Sequence, residues 1–400
     1  MASSLGQELR ARREAAGLTQ GAVAGRLGVA RPTLSQWESG KYRPMPEHLN
    51  QLDELYGAQG ELAMLGQAER ARGPVAPQGR RRSVANIFRD VADALVKALV
   101  VEQGRPLGWC RNLGDVSLTP TPLSTAFVVR TLQLLDEARV DLHGLADFIE
   151  QSDWRYRSVD RTGPEVTAVL LAALSRLGRL ADVDGALRQL EGDIDEFART
   201  RPYVLAVILE SLLTIRPDSS LAQGLVRDLL DARQQYGDHL LWTVDASAES
   251  ELVKPSLAHT ARAAAVLRQA RPAAGDQADV DEAIDMAIEW MVSLDKGDDN
   301  LIEVLPPTPG DRATSLPIHH FTSAWTIRAM AGVEGVPATR LNAALDLLWD
   351  SYSPSAGLWV WRDDGTFPSW MTHDAVCALR ILAEASLSTP VSATSHGDDS

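Results

Sequence analysis

Two groups of residues in this chain have the types and spacing to do chemistry. Near the amino end, Arg31, Thr33 and Gln36 fall on the outward side of a short helical pattern whose inward side carries Leu34 and Trp37. Arginine matches the O6 and N7 acceptors of guanine, glutamine matches the N6/N7 edge of adenine, and threonine suits a thymine methyl or a phosphate oxygen. Gln20, Lys41 and Arg43 flank this pattern where they can meet phosphate. Further along, aromatic and imidazole side chains concentrate in loops: Trp154, Trp242, Trp359, Trp361 and Trp370, with His319, His320 and His373. Such rings can line an apolar pocket for a small molecule or peptide. The pair His373-Asp374 can tune an imidazole for proton transfer, and the three histidines can share a metal. The plainer readings are a solvated helix face for the first group, and packing or capping inside a large helical protein for the second. Adjacent histidines diverge on a helix and no ligand spacing is present, so no metal is assigned.

The first group needs a scaffold, and the surrounding residues supply one. Gly17-Leu18-Thr19-Gln20 and Leu27-Gly28-Val29 bracket a helix over about Gln20 to Leu27. Thr19 can cap that helix and leave the Gln20 N–H free to face an anion. A helix of about Leu5 to Ala16 precedes it, with Arg10, Arg12 and Arg13 free to reach a phosphate backbone or lie in solvent. A third begins after Ala30, and two more run over about Pro46 to Tyr56 and Gly60 to Leu65. The second and third form the layout of a helix-turn-helix, whose second helix enters the major groove. Leu5-Gly6-x-x-Leu9-Arg10-x-x-Arg13, the Gly17–Gln20 turn and Ser35-x-Trp37-Glu38-x-Gly40-x-x-x-Pro44 resemble the Cro/C1-type (XRE) DNA-binding domain. That resemblance implies a five-helix bundle that reads double-stranded DNA as a homodimer, with Gln20 at a phosphate-binding position.

The chain of 400 residues exceeds one ordinary core, so several units are expected. Residues 1–68 are the helix-turn-helix unit, 69–84 a Pro-, Gly- and Arg-rich linker, 85–386 a helical body, and 387–400 a disordered tail. The net charge of -15 is divided unevenly. Through Arg82 there are 12 basic and 8 acidic residues, leaving 27 and 46 for the remainder of the 39 and 54 in the chain. A basic head on an acidic body confines any contact with phosphate to one end. No apolar run reaches about 20 residues, so no membrane span is expected. Cys110 and Cys377, far apart, suit a reducing cytoplasm rather than a disulfide framework or a cysteine-built zinc site.

The body carries a helical period throughout and an internal repeat. Six proline-led segments share a downstream alanine: Pro122 with Ala126, Pro164 with Ala168, Pro202 with Ala206, Pro255 with Ala261, Pro317 with Ala324, and Pro368 with Ala375. Proline is preorganised for a first helical turn, and alanine admits a close neighbour. Each interval leaves room for a second helix, giving an all-α architecture of six helix pairs that closes into an α/α toroid or extends as an open solenoid. The segment Gly357-Leu358-Trp359-x-Trp361-x-Asp363-Asp364-Gly365-x-x-Pro368-Ser369-Trp370-Met371-Thr372-His373-Asp374-Ala375 resembles the repeats of terpenoid cyclase and prenyltransferase-like α/α toroids. The acid motif of those cyclases and the zinc ligands of those transferases have no counterpart, since Ala375 stands two residues before Cys377. The expectation is therefore no enzyme and no cofactor: a cytoplasmic transcription regulator whose body senses a small ligand or a protein. The alternatives are a DNA-anchored adaptor of a defence or toxin-control module, and an isoprenoid-type enzyme fused to a DNA-binding head.

Overall fold

The computed structural model describes residues 5–27, 29, 31–39, 44, 46–65, 83–151, 163–247, 254–273, 277–294, 301–305, 316–361 and 365–388. Residues 69–82 of the linker, Lys41, Arg43, Trp154, Asp363-Asp364 and the final twelve residues lie outside the described residues, as does the side chain of Gln36; the last two linker positions, Ser83 and Val84, instead cap and open α6.

The head is a bundle of α1 (Leu5–Ala15), α2 (Gln20–Leu27), α3 (Arg31–Glu38), α4 (Pro46–Tyr56) and α5 (61–65). Gly17, at φ +66°, ends α1 in the left-handed conformation that glycine adopts without steric cost. Thr19 Oγ1 accepts from the Ala22 N–H at 3.1 Å and caps α2. The apolar face of each helix meets in one core of Leu5, Leu9, Val23, Leu34, Trp37, Leu49, Leu52 and Leu62. Asp53 closes the bundle, its carboxylate accepting from the N–H groups of Leu62 and Ala63, both at 2.9 Å.

The body is a closed ring of six helix pairs. Its inner helices are α7 (Pro122–Leu134), α9 (Pro164–Arg176), α12 (Pro202–Ile215), α14 (Leu257–Ala270), α16 (Thr322–Met330) and α18 (Ser369–Ser388). Each packs on the next, and α18 packs back on α7, so the toroid is the form realised. The outer helices are α6 (Val84–Lys97), α8 (Leu142–Gln151), α10 (Val183–Asp193), α13 (Ser220–Asp231), α15 (Gln277–Ser293) and α17 (Ala338–Asp350), with the single turn α11 (Glu196–Arg199) after α10. Inner helices are buried almost all round because both faces are covered; outer helices bury one stripe only. All six repeat alanines are fully buried. Pro122, Pro164 and Pro202 open their helices as expected. Pro255 instead precedes the cap Ser256, Pro368 precedes Ser369, and Pro317 lies in a strand.

That strand belongs to a feature the helical period conceals. Four antiparallel hairpins join an outer helix to the following inner one: β1 (Val100–Glu102) with β2 (Arg105–Gly108), β3 (Gln234–Tyr236) with β4 (His239–Leu241), β5 (Leu301–Leu305) with β6 (Leu316–His320), and β7 (Tyr352–Ser353) with β8 (Leu358–Trp359). The outer helices before the first two hairpins end at Lys97 and Asp231.

Three of these hairpins end in the same brace. The indole N–H of Trp109 donates to Leu95 O at 2.7 Å, that of Trp242 to Leu229 O at 2.7 Å, and that of Trp359 to Leu348 O at 3.0 Å. Each acceptor lies in the last turn of the preceding outer helix, where carbonyls lack intrahelical donors. The carbonyls of Trp109 and Trp242 then accept from the N–H of Thr121 and Ser256, the caps of α7 and α14. One tryptophan thus fastens the end of one helix to the start of another. Ring closure has its own clasp: Leu113 N–H donates to Phe367 O at 2.9 Å, and Phe367 N–H to Asn112 Oδ1 at 2.9 Å.

Candidate functional sites in the head and the ring core

On the head, Arg31 is exposed at the first position of α3. Together with Arg13, Leu18, Thr19, Gln20 and Gly21 it lines an open cleft of about 510 Å³ beside the amino end of α2. Beneath the cleft lies a network. Arg13 donates through Nε to Glu38 Oε1 at 2.5 Å and through Nη2 to Glu38 Oε2 at 3.0 Å, and Gln20 Nε2 donates to the same Oε2 at 3.0 Å. The Glu38 side chain is almost wholly enclosed, so this charge-assisted pair ties α1 and α2 to α3. Its interactions raise the Arg13 pKa, with the Glu38 hydrogen bond the main cause.

Two expectations for this face are corrected. Thr33 is 2% exposed, turned into the bundle beside Leu34, and does not face outward. At helical spacing, Thr33 and Trp37 are four residues apart and share the inward stripe, whereas Arg31 lies off it. Arg12 and Arg13 are not free for phosphate either: Arg12 pairs with Glu8 at 2.8 Å and with Glu61, and Arg13 with Glu38.

In the body, the structure splits the aromatic and imidazole residues into separate roles. Trp242 and Trp359 are completely buried braces, and their N–H groups serve helix ends rather than a pocket. At the head of the inner helices, His320 meets Tyr203 (ring centroids 5.0 Å) and His259 (4.9 Å), while His319 meets Trp361 (4.4 Å), which meets Trp370 (5.9 Å). His373 lies elsewhere, on α18 beside Phe127 and Thr131. Thr131 Oγ1 donates its proton to Phe127 O at 2.8 Å, so toward His373 Nδ1, 3.0 Å away, it accepts. The imidazole therefore carries its proton on Nδ1 and turns a lone pair on Nε2 toward Cys377 Sγ at 3.7 Å. Burial first, and Arg130 next, keep the ring neutral far below its ordinary pKa. Among the described residues no group of three or more His, Cys, Asp or Glu could hold a metal ion.

The polar centre of the ring was not anticipated. Arg130 on α7, Glu210 on α12, Arg262 on α14, Arg328 on α16 and Asp374 on α18 are all at least nine-tenths buried. Arg328 Nη2 donates to Glu210 Oε1 at 2.6 Å. Burial alone would raise the Glu210 pKa, but Arg328, Arg130 and Arg262 pull it down to about 2. The guanidiniums of Arg328 and Arg262 lie 3.8 and 4.0 Å from the centre of the Trp325 ring, a buried cation–π arrangement. The Trp325 N–H donates to Asp374 Oδ2 at 3.0 Å. The sequence held a signal for part of this cluster: Arg130, Glu210 and Arg328 each stand four residues after a repeat alanine, a lone charge in an apolar run.

Residues 4–65 match the family described as a helix-turn-helix domain. The head is therefore a helix-turn-helix domain, followed by an all-α body. No curated protein matches the chain. Among solved structures, the body resembles the GH76A alpha-1,6-mannanase from Salegentibacter sp. HEL1_6, at 12% identity and TM-score 0.49 over 76% of this chain and all of the other. An inactive variant of that mannanase in complex with alpha-1,6-mannotetrose gives 12% identity and 0.48 over the same shares. No helix of the described residues is long and apolar enough to cross a membrane.

Proposed function

We propose that this protein is a transcription regulator of the Cro/C1 (XRE) type. In this reading the head binds double-stranded DNA in the cytoplasm as a homodimer, and the ring-shaped body responds to an effector rather than catalysing a reaction. The observation that carries the reading is the exposed Arg31 at the start of α3, beside a cleft whose floor holds Gln20 and the capped end of α2. A helix start with an arginine at its tip can enter a major groove, while the α2 N–H groups and Gln20 meet the adjacent phosphate. Gln36 on α3 and Lys41 and Arg43 beyond it complete the proposed contact. The -19 remainder of the chain, 27 basic against 46 acidic residues after Arg82, keeps the body off the duplex. Selection of bound duplexes from a random pool tests this: a two-fold sequence with half-sites about one helical turn apart is expected. Failure of the full chain to retain any duplex at low salt overturns it.

A further inference from the structure

We propose that the centre of the ring is a binding site for a small oxyanion, formed by Arg262 and Arg328 where they flank Trp325. This deepens the reading of the body as a sensor and rests on that reading for its link to DNA.

The argument starts from charge. Among the described residues of the ring centre, three guanidiniums, those of Arg130, Arg262 and Arg328, are 6%, 8% and 3% exposed, against two carboxylates, Glu210 and Asp374. Three minus two leaves one uncompensated buried cation, an arrangement that costs several kcal/mol unless an anion joins it. Asp374 supplies its negative charge against its own burial, which pushes the carboxyl up to about 6 despite Arg262 and Arg328. Arg176, exposed on α9, adds positive charge at the edge of the cluster.

The donors point the same way. Only Nη2 of Arg328 is spent on Glu210. Its Nε and Nη1, and Nε of Arg262, are buried with no hydrogen-bond partner among the described residues. Buried guanidinium N–H groups are nearly always satisfied, since an unmet charged donor has given up its hydration for nothing. Both arginines are fixed against one rigid indole, so their remaining N–H edges are held in place before any ligand arrives. A carboxylate or phosphate oxygen is the acceptor that matches such edges.

The test is calorimetric titration of the full chain at pH 7 with sodium phosphate, and in parallel with sodium acetate, against sodium chloride at equal ionic strength. One saturable oxyanion per chain is expected. Arg262→Met should weaken binding by about tenfold or more, the value of one hydrogen bond to a charged group. Glu210→Gln removes the internal carboxylate that competes for Arg328 and should tighten binding by about tenfold on the same basis. A gain of affinity cannot come from misfolding, so Glu210→Gln decides the matter even if Arg262→Met fails to fold. Arg31→Ala should leave the titration unchanged, which separates the ring from the head cleft. Absence of a saturable heat with both anions, or equal affinity in parent and Glu210→Gln, overturns the site and leaves those donors to buried water. Saturable binding that leaves operator affinity unchanged retains the site but removes its role as the sensor; an effector response without oxyanion binding does the reverse.

Discussion

Arg328 and Glu210 face each other across the ring, from α16 to α12, at 2.6 Å, and no sequence neighbour of either takes part. Removing one partner leaves the other charged and enclosed. Glu210→Ala or Arg328→Met should each lower stability by roughly 3–5 kcal/mol, and the double variant Glu210→Leu/Arg328→Met should regain much of that loss. Urea midpoints with unchanged slope measure it. A double variant as unstable as the sum of its parts would show that the pair is not coupled.

The acid side of the stability profile should depend on two adjacent residues in opposite ways. Asp374 holds its proton up to about 6, against an ordinary 3.8, so its contribution grows as pH falls from about 6 to about 4. His373 stays neutral when folded but takes a proton when unfolded, so its contribution is lost as pH falls below its ordinary 6.5. Asp374→Asn should therefore remove an acid-side gain, and His373→Gln an acid-side loss. The difference curves of the two variants against the parent should tilt in opposite directions between pH 4 and pH 7. Tilts of the same sign would falsify the assignment.

Each tryptophan brace closes one carbonyl at a helix end. Trp242→Phe keeps most of the ring's apolar volume and removes only the donor to Leu229 O. A loss of roughly 1–3 kcal/mol is expected for the orphaned carbonyl. Hydrogen exchange should rise in the last turn of α13 before it rises in α12.

On the head, Arg31→Ala should reduce discrimination among duplexes by about 1–3 kcal/mol at one base position, whereas Gln20→Ala should weaken all sequences about equally. Thr33→Ala should leave sequence preference intact and lower the melting temperature of the head, because Thr33 is part of its interior. Altered preference in Thr33→Ala with unchanged melting would contradict that placement.

What the sequence disclosed and what it hid follow from range. The five helices of the head and the alternation of inner and outer helices rest on caps, prolines and apolar period, all of them local, and Thr19, Pro122 and the six alanines stand where local rules put them. The hairpins were hidden because strands of two to five residues leave too short a pattern beside helices of nine or more. Trp242 and Trp359 looked like pocket walls because composition cannot say where an indole N–H goes; that depends on a carbonyl 13 and 11 residues earlier. Glu210 and Arg328, 118 residues apart, become neighbours only when the ring closes. Closure is a property of the whole chain and has no local mark.

Five of the six junctions between inner helices are spanned by continuous polypeptide; the sixth, where α18 meets α7, is held by side chains and by the clasp of Asn112 and Leu113 on Phe367. The helix that follows the linker, α6, rests against both members of that junction. The body is thus a split washer, and α6 lies across its slit. Prying at that slit severs no covalent continuity, so whatever shifts α6 bears on the one joint of the ring that can spread with the chain intact.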